Sequence, residues 1–151
     1  MDYEEKIYTN SGVGREIGRV SGISAIPSAP ECDLVLAHGA GAGMEHSFME
    51  ILTSRLAEQG IATVRFNFPF AENKKGRLDS PAVAHLTIKA AIAKTGELFP
   101  DIPLFVAGKS FGGRMSSQYL SANHDDTVKG IIFSVSSFTL PVNLPPNGRN
   151  I

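Results

Sequence analysis

Five consecutive residues, Gly108-Lys109-Ser110-Phe111-Gly112, constrain this chain more than any others. They follow the apolar run Leu104–Ala107, which reads as a strand, and lead into Arg114–Leu120, which reads as a helix. A G-x-S-x-G set at a strand-to-helix junction is the pattern of a nucleophile elbow. The serine sits on a sharp, strained turn, so neighbouring backbone must come close. Glycines two before and two after it, Gly108 and Gly112, remove the side chains that would collide. The alternative for Ser110 is a plain helix N-cap, which needs no such glycines.

The rest of the chain is consistent with one α/β domain. With 151 residues, 42% of them hydrophobic, it can bury ~70% of its unfolded surface around a single core. The net charge of −1 leaves no basic footprint for nucleic acid or an anionic membrane. The lone cysteine, Cys32, excludes an internal disulfide framework and is expected to be a buried thiol at the mouth of a strand. The charged start Met1–Lys6 has no apolar run behind it, and no stretch is long enough to span a bilayer. A cytoplasmic location is the resulting expectation.

Along the chain, residues 1–31 are polar, with apolar marks at Val20, Ile23 and Ile26 that suit one or two short edge strands. Asp33–Ala37 reads as a buried parallel strand running into the glycine-rich turn His38-Gly39-Ala40-Gly41-Ala42-Gly43. Met44–Gln59 places Phe48, Ile51, Leu52 and Leu56 on one helical face, and Gly60 closes that helix. Ile61–Phe66 is the next strand, and Ala71–Asp79 a charged loop. Ser80-Pro81 is an N-cap with proline at the first helical position, opening a helix to about Leu98 before Pro100. Phe111–Ala122 is a helix and Val128–Ser134 a strand. This alternation predicts a parallel sheet covered on both faces, over residues 1–134. Residues 135–151, with Pro141, Pro145, Pro146 and Gly148, show no period and read as an irregular tail.

Two nucleotide-binding patterns fail residue by residue. A phosphate-binding loop would need glycine where Pro103 stands, and a dinucleotide fingerprint would need glycine at Met44. His46, His85 and His124 are scattered surface or helix-end positions, and no metal-ligand spacing is present. No metal or cofactor is therefore expected. Lys109 and Arg114 read as helix-start charge or packing, with attraction of an anionic substrate as the alternative. Arg65, Asn67 and Phe68-Pro69-Phe70 leave the same sheet edge, and either line the site or pack the loop.

The segments LVLAHGAGAGMEHSFMEILTSRLAEQGIATVRFNFPF and VAGKSFGGRMSS together resemble a branch of the α/β-hydrolase superfamily. It is the hydrolase-like family of a testis-expressed protein and a subunit of the non-specific lethal acetyltransferase complex, which has many bacterial members. The resemblance covers residues 33–134. It implies a three-layer α/β/α fold with a mostly parallel sheet, here a truncated α/β-hydrolase. It also implies a serine hydrolase acting on an ester, thioester or amide. Ser110 would be the nucleophile, with the amides of Phe111 and of Ala40, or next Gly41, donating to the oxyanion. His38, Gly39, Gly108 and Gly112 would shape the two loops. In such enzymes an acid and then a histidine follow the serine. After Ser110 this sequence offers only His124, too early to be that base, so weak or no activity is expected. The other reading is a non-catalytic module that binds a protein partner, with oligomeric state open. Departure from the family begins after Phe133, and a shifted reading frame would account for the tail.

Overall fold

The computed structural model describes residues 2–10 and 16–134, with side-chain surroundings given for residues 18–132. The elements run β1 (Asp2–Asn10), β2 (Glu16–Ala25), β3 (Cys32–Ala37), α1 (Ser47–Glu58), β4 (Ile61–Phe66), α2 (Pro69–Glu72), α3 (Pro81–Leu98), β5 (Leu104–Lys109), α4 (Phe111–Ala122) and β6 (Val128–Ser134). They form one sheet in the order β1-β2-β4-β3-β5-β6. The four strands β4, β3, β5 and β6 are parallel, and the β1–β2 pair joins β4 antiparallel. The N-terminal strands are therefore long rather than short, and β2 is an internal strand, because its Gly22–Ala25 segment pairs with Thr63–Phe66.

The helix layers follow from strand order. The chain moves outward from β3 to β4, then crosses back over β3 to β5 and on to β6. Right-handed crossovers taken in opposite directions put their helices on opposite faces. Accordingly α1 lies on one face, while α3 and α4 pack together on the other. Alternation along β3 serves both sides. Val35 and Ala37 enter the larger core with Ile88, Val106 and Met115, and Leu34 and Leu36 meet Met49, Leu52 and Leu56 of α1. On α3 the buried positions Ala84, Thr87, Ile88, Ala91, Ile92 and Thr95 trace one face at helical spacing.

Local signals set several boundaries. The Ser80 side chain accepts from the Val83 N–H and Pro81 starts α3. Gly60, at φ 79°, ends α1 in the left-handed conformation. Other expectations need correction. Helix α1 starts at Ser47 because His46 takes the N-cap, and its buried residues are Met49 and Thr53, leaving Phe48 and Ile51 exposed. The stretch after β4 contains a short helix, α2, started by Pro69. Cys32, the first residue of β3, is half-buried and not fully buried. On the face carrying α1, an apolar groove of about 220 Å³ lies between that helix and Ile132 of β6. No helix among the described residues is long and apolar enough to cross a membrane. Residues 135–151, read as an irregular tail, lie outside the described residues.

One core residue does not fit its surroundings. Asp33, on the face of Val35, is fully buried, and neither carboxyl oxygen has a hydrogen-bond partner among the described residues. Burial without compensation favours the neutral acid and pushes its pKa up to about 7 from 3.8. The folded state then holds a proton that the unfolded chain releases. This contribution to stability is complete below pH 3.8 and is lost as pH rises to about 7, with a linkage limit of about 4 kcal/mol. Denaturant titrations of the native chain and Asp33→Asn, compared from pH 4 to 8, should show the variant gaining on the native chain as pH rises. A constant difference would contradict this account of Asp33.

Candidate active site

Parallel register brings two loops together. Ala37, the last residue of β3, pairs with Gly108 near the end of β5. The chain leaves these neighbouring strands as the His38–Gly43 loop and the turn at Ser110. Because the chain runs from β3 to β4 on one side and returns to β5 on the other, the space between their ends is a topological switch point. Open α/β sheets bind ligands in such crevices. A cleft of about 310 Å³ lies there, lined by the 38–43 loop, His46, Met49, Lys109 and Ser110.

Ser110 stands at φ 51° and ψ −112°, a sparsely populated backbone region for a residue with a Cβ. It occupies the N-cap position of α4 but makes no side-chain cap hydrogen bond, and it is exposed. An ordinary N-cap serine has extended backbone and bonds the first turn. The glycines explain how the turn closes. A Cβ on Gly108 would lie 2.3 Å from the Gly113 nitrogen, and one on Gly112 would lie 2.4 Å from the Ala37 carbonyl oxygen. Helix α4 is thereby seated directly on the ends of β5 and β3. Phe111 holds its first position, where an N–H has no acceptor within the helix. Its ring is buried against Phe68 and Phe70.

The glycine-rich loop lies against this turn. A Cβ on Gly39 would meet the Lys109 carbonyl at 3.4 Å and the Ser110 Cβ at 3.6 Å. Ala40 and Gly41 are exposed along the cleft, and a Cβ on Gly41 would meet nothing within 4 Å. His38 is almost fully buried at the loop's root. The Phe68 N–H donates to its Nε2 at 3.0 Å, so the proton is on Nδ1, which donates to the Gly39 carbonyl at 2.7 Å. Burial lowers its pKa, against smaller opposing effects of backbone hydrogen bonds to Gly39 and Ala42. The imidazole is a neutral pin with both nitrogens occupied, and its geometry suits loop shaping and not proton transfer.

The remaining singled-out residues separate clearly. Arg65, Asn67 and Phe68 bond the loop and do not line the cleft. Lys109 Nζ sits 4.6 Å over the Phe48 ring, and Arg114 lies over Phe111 at 5.9 Å. His85 faces Gln118, and exposed His124 pairs with Asp126 at 2.7 Å, both away from the cleft. His46 is the helix-end histidine the sequence suggested, but it also lines the cleft, which was not anticipated. The signal was available: a loop leaving β3 to start α1 must bring that helix's N-terminus to the same sheet edge. The Phe48 N–H donates to His46 Nδ1 at 3.2 Å, so its neutral ring carries the proton on Nε2.

Over residues 30–143 the chain matches the family described as Alpha/beta hydrolase domain. It is 33% identical over 122 residues to a proline iminopeptidase of Thermoplasma volcanium, covering 78% of this chain and 39% of that protein. Among solved structures it is similar to an α/β serine hydrolase without lid from Xanthomonas campestris, with a TM-score of 0.67 and 20% identity over 80% of this chain and 56% of that one. An α/β serine hydrolase homologue from Coxiella burnetii gives a TM-score of 0.66 and 22% identity, covering 88% of this chain and 61% of that one. This chain therefore spans 39% to 61% of the length of these relatives.

The close approach at the elbow has a direct test in equilibrium urea unfolding. Gly108→Ala and Gly112→Ala should each lose about 2 kcal/mol or more, because backbone must move to admit the methyl group. Gly41→Ala should stay within about 1 kcal/mol of the native chain. Ser110→Gly should exceed Ser110→Ala by about 1 kcal/mol, as the strain at positive φ is relieved. Native-like stability of Gly112→Ala would contradict the seating of α4 on β3.

Proposed function

The chain belongs to the α/β hydrolase domain family, and from that membership we propose that Ser110 is the nucleophile of an acyl-transfer site. Its substrate would be an ester, thioester or amide. The observation that carries this reading is the backbone of Ser110: positive φ, no helix-capping bond, and an exposed position at the switch-point cleft. Strain of that kind presents a hydroxyl where a helix cap would bury it against its own first turn.

In this reading Oγ of Ser110 attacks the substrate carbonyl carbon, the carbonyl electrons move to oxygen, and the amides of Phe111 and Ala40 receive the oxyanion. Gly41 is the second candidate in the loop. A donor held in place before charge develops is worth about 10²–10³ in rate. The similarity to a proline iminopeptidase brings amides, including N-terminal proline amides, within the substrate class. The finer resemblance to the testis-expressed and non-specific lethal complex branch rests on HGAGAG, RFNFPF and GKSFGGR. A cytoplasmic site of action belongs to the same reading, on the single cysteine, Cys32.

The hydroxyl proton needs an acceptor. His38 has both nitrogens engaged, and His46 is held as the Nε2–H tautomer. Among the described residues none is placed as base and orienting acid for Ser110. We therefore expect the 151-residue chain to be slow, keeping only the contributions of binding and oxyanion stabilisation, about 10³–10⁴ over water. A second reading, a module that binds a protein through the apolar groove and the β6 edge, is favoured by the exposure of Ile132.

A fluorophosphonate probe, followed by intact mass, distinguishes the two. The hydrolase reading predicts slow single labelling that disappears in Ser110→Ala. Rapid labelling would contradict the expected lack of a base, and labelling indifferent to Ser110→Ala would remove Ser110 as nucleophile.

A further inference from the structure

The 39–43 loop has no regular secondary structure, yet its two ends are fixed by three residues from one short stretch of chain. At the front, the Phe68 N–H holds His38. At the back, Met44 is taken through both of its backbone polar groups. Its N–H donates to Asn67 Oδ1 at 2.9 Å, and its carbonyl accepts from the buried Arg65 guanidinium at 3.2 Å. Asn67 also lies directly on the loop backbone, since a Cβ on Gly43 would be 2.7 Å from Asn67 Oδ1.

The orientation of that amide is itself determined. Asn67 Nδ2 donates to Glu72 Oε2 at 2.8 Å, and the other Glu72 oxygen accepts from the Ser21 hydroxyl at 2.7 Å. An ionised carboxylate only accepts, so Nδ2 must face Glu72 and Oδ1 must face Met44. Helix α2, otherwise an isolated turn, returns Glu72 to Asn67 five residues later. The hydrogen bonds run unbroken from β2 through α2 and the end of β4 to the entry of α1.

We propose that Asn67, aimed by Glu72, is the positioning residue for the loop that carries Ala40 and Gly41. Between these anchors the His38 Nδ1–H and the His46 N–H bond the Gly39 and Gly43 carbonyls, while Gly41 has open space around it, so the Ala40–Gly41 stretch takes its path from where the two ends are held. The catalytic consequence rests on the reading of Ala40 or Gly41 as an oxyanion donor; the positioning itself does not. If both hold, misplacing the loop by a fraction of an ångström slows acyl transfer without touching Ser110.

Swapping the charge provides the test. In Asn67→Asp two carboxylates face each other and repel. The paired variant, Asn67→Asp with Glu72→Gln, restores the hydrogen bond between the two side chains with donor and acceptor reversed. The amide introduced at position 72 donates to the carboxylate introduced at position 67, which still accepts from the Met44 N–H. Hydrogen exchange of the backbone amides of residues 40–44, with fluorophosphonate labelling of Ser110 beside it, reads both layers. We expect about tenfold faster exchange in the single variant and recovery in the pair, with labelling slowed about tenfold and likewise recovered. Unchanged exchange in a folded Asn67→Asp protein, or no recovery in the pair, overturns the positioning role. Altered exchange with unaltered labelling upholds positioning and overturns the loop as oxyanion donor. If Asn67→Asp does not fold, the pair decides: native-like exchange supports the proposal, and failure to fold overturns it.

Discussion

The structure depends on a contact from which side chains are excluded. Helix α4 begins so close to the ends of β3 and β5 that only hydrogen fits at Gly108 and Gly112. Because the helix starts there, the chain has a single residue in which to turn, and that residue, Ser110, takes a left-handed backbone. The register of β3 against β5 then sets the glycine-rich loop beside it. A Cβ at either glycine would push the helix outward and separate the serine from the loop, so packing at the sheet end and geometry of the site are one constraint.

The second loop is held by polar contacts. Its residues from Gly39 to Gly43 cannot pack a core of their own, and their ends are held by groups at the end of β4 and just after it. His38 illustrates how a histidine at the root of the loop beside Ser110 can be wholly occupied in holding backbone. With Nε2 accepting from Phe68 and Nδ1 donating to Gly39, it has no lone pair to offer. The same end of β4 supplies Arg65 and Asn67, so the exit of one strand organises the exit of its neighbour.

Much of this was legible in the sequence where the determinant is local. Ser80-Pro81 and Gly60 marked helix ends because caps and left-handed glycines act within one turn. The elbow was legible because its steric demand writes two glycines at fixed spacing. What was not legible depends on contacts distant in sequence. Ile51 fits the apolar period of α1 yet is exposed, because that side of the helix has no partner among the described residues. The Pro69–Glu72 turn reads as loop until its N-terminal proline and the packing of Phe70 are seen together. Asp33 reads as part of a buried strand and is buried, but that its carboxyl finds no hydrogen-bond partner among the described residues depends on neighbours distant in sequence. Asn67 could be read either as lining the cleft or as packing the loop, and only the Met44 and Glu72 partners separate these.

The central claim is that the strained Ser110 and the 39–43 loop face one reacting atom. A crystal structure of the chain after reaction with a small organophosphonate tests it most directly. The account predicts a single adduct on Ser110 Oγ, with the phosphoryl oxygen about 2.7–3.1 Å from the amide nitrogens of Phe111 and of Ala40 or Gly41. An adduct whose phosphoryl oxygen points to solvent, away from both loops, would contradict it, as would a Ser110 with negative φ.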